Sequence, residues 1–241
     1  SEMTFTLAQQ NFEESRISRN FNDPIQENRA ENVVAYSANL DLRKTLGKKG
    51  SLFYGFEWVL DEVESTGVET DITTNTSAPG PSRYPQADWQ SYAAYISYQH
   101  QWTAELMTQA GLRYNGIDLE AEFDTNFYPL PFERTTLNTG ALTGSLGFVF
   151  KPYSDWNFRG NMATAFRAPN VDDMGKIFDS EPGAVVVPNP DLAPEYAISW
   201  DLGVAHMLSK KLKLDFSGYF TQLDNALTRR DYALNGATEM V

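Results

Sequence analysis

Few side chains in this sequence have the type and spacing that chemistry demands. Histidine occurs at His100 and His206 and cysteine nowhere, so neither a thiolate metal site nor a disulfide framework can be built. No serine, histidine and aspartate set, no carboxylate pair at general-acid spacing and no phosphate loop occurs, which leaves catalysis without candidate residues. What remains is binding chemistry. Asp172, Asp173, Asp179 and Glu181 crowd one segment; they lack the regular spacing of a calcium loop, and a solvated acidic connection is the default reading. Arg229 and Arg230, followed by Tyr232, offer guanidinium groups to an anionic ligand, against the plainer reading of an exposed strand end. Tyr84, Trp89 and Tyr92 offer flat aromatic surface, either to a ligand or to an interfacial belt.

The elements that must carry these groups are strands. Tyr196, Ile198, Trp200, Leu202 and Val204 alternate with small or polar Ala197, Ser199, Asp201, Gly203 and Ala205, which is the period of two of a β-strand. The same pattern runs through Val34 to Leu42, Leu52 to Leu60, Leu106 to Tyr114, Leu142 to Phe150 and Leu212 to Phe220. In the stretch from Trp89 to Trp102 both faces carry aromatics, and the alternation does not say which is which. About nine strands are expected. Their connections alternate: short near 46 to 50, 103 to 104, 151 to 155 and 209 to 210, long near 16 to 30, 66 to 88, 118 to 134 and 169 to 194. The stretch from Thr66 to Asp88, with Pro79-Gly80-Pro81 at its centre, reads as loop rather than strand.

Composition says what these strands sit in. The chain has 15 Phe, 12 Tyr and 5 Trp, yet only 41% hydrophobic residues, and a formal net charge of -13. Lys and Arg form no stripe, which argues against nucleic acid as a partner. A mean hydropathy of -0.43 and the lack of an apolar run of about 18 residues exclude a transmembrane helix. They do not bear on a membrane barrel, where alternate residues face the lumen. Lysines gather at the short connections (Lys48, Lys49, Lys151, Lys210, Lys211) and acids in the segment from Pro169 to Pro194. Short turns at one end and long loops at the other are the pattern of a bacterial outer-membrane barrel. The expected fold is therefore all-β, a segment of a large antiparallel transmembrane β-barrel, with long loops outside and short basic turns in the periplasm. Ser1 to Leu7 already reads as strand rather than as a signal peptide.

Two phrases then carry a resemblance. Phe166-Arg167-Ala168-Pro169, followed by Asn189-Pro190-Asp191-Leu192, resembles the paired FRAP and NPDL boxes of TonB-dependent outer-membrane receptors, and most resembles those of the haem and haemoglobin receptor branch. The resemblance implies a plugged barrel of 22 strands. Neither the family's plug nor its energy-coupling box is found in this sequence, so residues 1–241 are expected to form part of the barrel domain. It further implies import of a scarce nutrient, with an iron source such as haem or a ferric siderophore foremost and a haemoprotein as a further ligand. The implied partners are outer-membrane lipid and a TonB-type energy-coupling protein acting through the plug; no intrinsic cofactor is expected.

Haem receptors of that branch commonly carry a histidine between the boxes, and here there is none. Met174 and Tyr196 have the chemistry to ligate iron, although a lone Met or Tyr usually packs. The candidate ligand-binding set is thus Tyr84, Trp89, Asp172, Asp173, Met174, Tyr196, Arg229 and Arg230. The long segment from Pro169 to Pro194 is expected to fold over the barrel mouth and help capture the ligand. Two alternatives stay open: a passive outer-membrane porin, and a soluble secreted β-sandwich that binds carbohydrate.

Overall fold

Period-two alternation along nearly the whole chain leaves it one regular way to satisfy its backbone, as a sheet. The computed structural model describes residues 1–127, 132–175 and 192–228. The strands are β1 (Glu2–Ser18), β2 (Ile25–Leu46), β3 (Gly50–Asp71), β4 (Thr76–Gly80), β5 (Gln86–Gln101), β6 (Leu106–Glu122), β7 (Arg134–Phe150), β8 (Trp156–Arg167), β9 (Glu195–Ser209) and β10 (Leu212–Asp224), with one short helix, α1 (Val171–Gly175). All ten strands form a single antiparallel sheet in which each pairs with its neighbours in sequence, β4 sitting to the side on β3.

Strand registers assign every side chain to a face. Leu40 lies opposite Phe56, Phe56 opposite Ala94, Ala94 opposite Tyr114 and Tyr114 opposite Leu142. Met162 lies opposite Leu146 and Trp200, and Val204 opposite Phe216. This apolar band is exposed (Leu146 60%, Leu202 66%, Phe216 66%), as it must be if its solvent is hydrocarbon. On β3 it covers the nine residues from Leu52 to Leu60, matching the 9–11 residues, by general estimate, that a tilted strand needs to cross a bilayer. At the short-turn end the band closes in an aromatic belt. Trp156 stacks on Phe158 at 5.5 Å and on His206 at 4.1 Å, and Trp102 meets His100 edge-on at 4.5 Å.

The opposite, inner face at this level is wet and internally paired. Arg113 bridges to Glu57, Tyr95 donates to Asp41 at 2.5 Å, Asn161 to Asp201 at 3.1 Å and Arg159 to Asp215 at 3.0 Å. The charges scattered along the small-residue face in the sequence are therefore partners across strands.

Beyond the band, towards the long connections, the two faces exchange character. Positions on the lipid-facing side become Glu62, Asp88, Glu120 and Thr136, which lie opposite one another in register. The inner side becomes apolar: Ala87, Leu119, Ala121, Phe123 and Leu137 form a buried cluster, with Val63, Trp89, Phe132, Val171 and Leu192 packed on it. A strand of 22 residues such as β2 or β3 reaches roughly 70 Å at about 3.3 Å per residue, well over the hydrocarbon thickness. Its excess stands in water and carries an ordinary inward core.

This projection revises several expectations. β1 continues to Ser18 and β2 begins at Ile25, where a long polar connection was expected from 16 to 30. β6 likewise runs to Glu122 and β7 starts at Arg134. The stretch from 66 to 88 holds the end of β3 and the whole of β4, a hairpin turned at Asn75, whose φ is 57°. Pro79 is tolerated there because β4 pairs with β3 alone, and an edge position asks nothing of the missing N–H. Among the described residues the main path of the sheet has nine strands, as expected, and β4 is a tenth beside it. In β5 the register places Tyr92, Ala94, Ile96 and Tyr98 on the lipid side and Ala93, Tyr95 and Ser97 on the inner side.

Candidate functional site

The inner face above the band carries a cleft of about 460 Å³. Its floor is a register grid. Glu14 lies opposite Glu31 and Glu31 opposite Ser65; the next row holds Phe12, Val33 and Val63; the row below that places Asp61 opposite Trp89. The rim is Arg83 and Tyr84 on one side and Asn170, Val171 and Asp172 on the other.

Each rim is fixed by bonds the sequence makes available locally. Ser65, buried on β3, accepts the Tyr84 backbone N–H at 3.2 Å, and the Gln86 side chain brackets the Ser65 backbone, donating to its carbonyl at 2.7 Å. Pro85 between them is fully buried. Tyr84 then reaches across to donate its hydroxyl to Asp172 at 3.1 Å, while Arg83 lies 4.9 Å over its ring. Burial, and the Asp172 carboxylate next to it, push the Tyr84 phenol above its ordinary pKa.

The other rim is set by the first box. Arg167 grips Asp173 with 2.8 and 2.6 Å contacts and reaches Glu195 at 3.4 Å. Asn170 and Asp173 cap one another, each accepting the other's backbone N–H (3.0 and 2.9 Å), the reciprocal arrangement that starts a helix. Pro169 is fully buried beside them. Glu195 also accepts the Leu227 N–H at 2.6 Å. Arg167 therefore ties the end of β8 to the start of β9 and so holds α1, with Val171 and Asp172, over the cleft.

Of the residues singled out from sequence, Tyr84, Trp89 and Asp172 meet in the cleft. Asp173 is turned to Arg167. Tyr196 stands on the lipid side, where its hydroxyl donates to the Leu142 carbonyl at 2.8 Å. Phe166 lies opposite it on β8, and Ala168 follows the strand. Leu192 packs on the buried cluster. Met174 falls in α1; Asn189, Pro190, Asp191, Arg229 and Arg230 lie outside the described residues. Sequence reasoning passed over Glu31. It is 5% exposed, and both carboxylate oxygens lack a hydrogen-bond partner. It sits in a polar stretch, Glu27 to Asn32, that reads as surface, and only the register of β2 shows it facing inward. Among the described residues no cluster of His, Asp and Glu is arranged to hold a metal ion.

Comparison with known proteins agrees with this fold. The sequence matches the TonB dependent receptor-like, beta-barrel family over residues 3–238, and the chain belongs to that family. It is thus part of the barrel of a class of Gram-negative outer-membrane receptors and transporters. No curated protein matches it. Among solved structures it is similar to the copper transporter OprC (TM-score 0.77, 14% identity, 92% of this chain and 35% of that one). It is also similar to the ferric yersiniabactin uptake receptor FyuA of Yersinia pestis (0.67, 16%, 93% and 35%). A third is the haemophore receptor HasR of Serratia marcescens, solved with its haemophore HasA and haem (0.65, 15%, 92% and 37%). The chain spans about a third of the length of these structures.

Proposed function

We propose that this chain forms part of the wall of a TonB-dependent importer whose long connections face the outside of the cell, and that the cleft under α1 is part of its ligand site. The observation that carries the proposal is the cleft itself: an inward, partly apolar recess with converging polar groups, set above the lipid band on a barrel of this family. The cargo is a scarce nutrient, with an iron source, haem or a ferric siderophore, as the first class to test. The similar structures are named for copper, ferric yersiniabactin and a haemophore with haem, all of them metals or carriers of metal complexes. A plug supplied by the remainder of the receptor would couple the barrel to the periplasmic energy source, and the transport step needs no resident prosthetic group. A porin would have no use for a clasp that holds α1 over an inward recess.

The test is uptake by cells that depend on the full-length receptor. Trp89→Ala, which strips one wall of the cleft, is expected to reduce uptake of the cognate nutrient at least tenfold with the barrel still assembled. Undiminished uptake of haem, ferric siderophores and copper would remove the cleft from the transport path.

A further inference from the structure

Glu31 presents an unmet demand. Its carboxylate is 5% exposed, lines the cleft, and has no hydrogen-bond partner on either oxygen, although taking a carboxylate out of water is among the costlier acts in folding unless a donor compensates it. Two of the other acids of the cleft are answered. Glu14 is bonded to Arg16 at 2.8 Å, and Asp172 accepts the Tyr84 hydroxyl. Arg83 is the cation that acts most strongly on it, with Arg16 and Arg29 adding to the field, but Arg83 lies over the Tyr84 ring and makes no hydrogen bond to Glu31. Asp61, half-buried at the far end of the same cleft, has no ion-pair partner among the described residues. Between the two carboxylates runs the apolar row Phe12, Val33 and Val63, with Trp89 beside Asp61.

We infer that the cleft selects a ligand that presents a cationic nitrogen group, an ammonium or guanidinium, attached to a flat apolar body. The cation would donate to Glu31 within the recess, the apolar body would lie along Phe12, Val33 and Val63, and Asp61 would add to the negative field. A guanidinium matches a carboxylate with two parallel donors, and in a recess shielded from water such charge-assisted bonds exceed neutral ones. An anionic group on the same ligand would meet carboxylates at the floor and find its cation at the rim, in Arg83. This inference rests on the reading of the cleft as a ligand site.

The test uses the full-length receptor in detergent and two probes of one shape, 4-(trifluoromethyl)benzylguanidinium and the neutral 4-(trifluoromethyl)benzylurea, followed by fluorine NMR. The cation is expected to bind at least tenfold more tightly. Glu31→Gln, close in shape to the native residue, should bring the cation's affinity to the urea's level, Asp61→Asn should lower it partway, and Asp88→Asn on the lipid-facing side should keep the full preference. Equal affinity of the two probes for the native receptor, or a preference that survives Glu31→Gln and Asp61→Asn, overturns the cation class while leaving the cleft as a ligand site. Binding of neither probe overturns both, since the recess is then closed to ligand in the complete receptor.

Discussion

The exchange of faces along the strands makes a depth-dependent prediction that can be worked on a single strand. On β7 the lipid-side residues are Phe150, Phe148, Leu146, Gly144 and Leu142, so Leu146 is the centre of the band. Thr136 lies on the same side ten residues further along, roughly 33 Å away at about 3.3 Å per residue, level with Glu120 and past the band. An arginine at the bilayer midplane of a barrel costs about 2–4 kcal/mol, falling to about 0–1 near the interface. At about 1.4 kcal/mol per tenfold, Leu146→Arg should shift the balance between assembled and unassembled receptor by roughly 30- to 700-fold, and Thr136→Arg by less than about fivefold. The assay is denaturant-dependent folding of the full-length receptor into phospholipid vesicles, read by heat-modifiable gel mobility. Two equal penalties would mean that the hydrocarbon extends over both positions, and a larger one at Thr136 would mean that the polar end is the embedded one.

Two further outcomes follow from the cleft's rims. Arg167→Ala leaves the Asp173 and Glu195 carboxylates, 21% and 17% exposed, without their shared cation. A cost of about 2 kcal/mol is expected, between the values for exposed and buried pairs. It should appear as roughly tenfold to thirtyfold faster hydrogen exchange at the Asn170 and Leu227 amides, which those carboxylates accept; unchanged exchange there refutes the clasp. Arg167→Lys should recover less than half, because an ammonium cannot form the two-pronged contact. The second outcome concerns pH. Tyr84 holds its proton more tightly folded than unfolded, so its contribution is complete below the ordinary tyrosine pKa, about 10, and is lost as pH rises through the folded value. Difference absorbance between native protein and Tyr84→Phe should show this phenol ionising later than a free tyrosine, and Asp172→Asn should bring it down; ionisation at the ordinary value would sink the Tyr84–Asp172 contact.

How much of this could be read from sequence depended on depth in the membrane. Within the band, as in Leu52 to Leu60, one face is bulky and the other small, and the alternation is plain. In β5 the inner face carries Tyr95, held there by its bond to Asp41, and Trp89, so aromatic character stopped reporting the face. Past the band the lipid side turns polar while the inner side mixes large residues such as Leu119 with small ones such as Ala87 and Ala121. The contrast drops, and strand ends passed for loop. The site divided in the same way. Tyr84, Trp89 and Asp172 stood out by type, whereas Arg167 stood out only as part of a box, its role resting on Asp173 and Glu195. Glu31 carried no local signal at all, because an inward glutamate in a polar run differs from an outward one only by strand parity.

That parity has a bearing on how such sheets change over time. Since, β4 apart, every described strand pairs only with the strand before and the strand after it, the sheet behaves as a linear stack of hairpins, and curvature is set locally at each seam. Inserting or deleting a whole hairpin leaves every later strand pointing its bulky residues the same way. Removing a single strand would reverse the direction of all those that follow and send short turns to the end that now holds long ones. Drift in circumference by steps of two, with loops exchanged freely on one rim, is the change this architecture tolerates most readily.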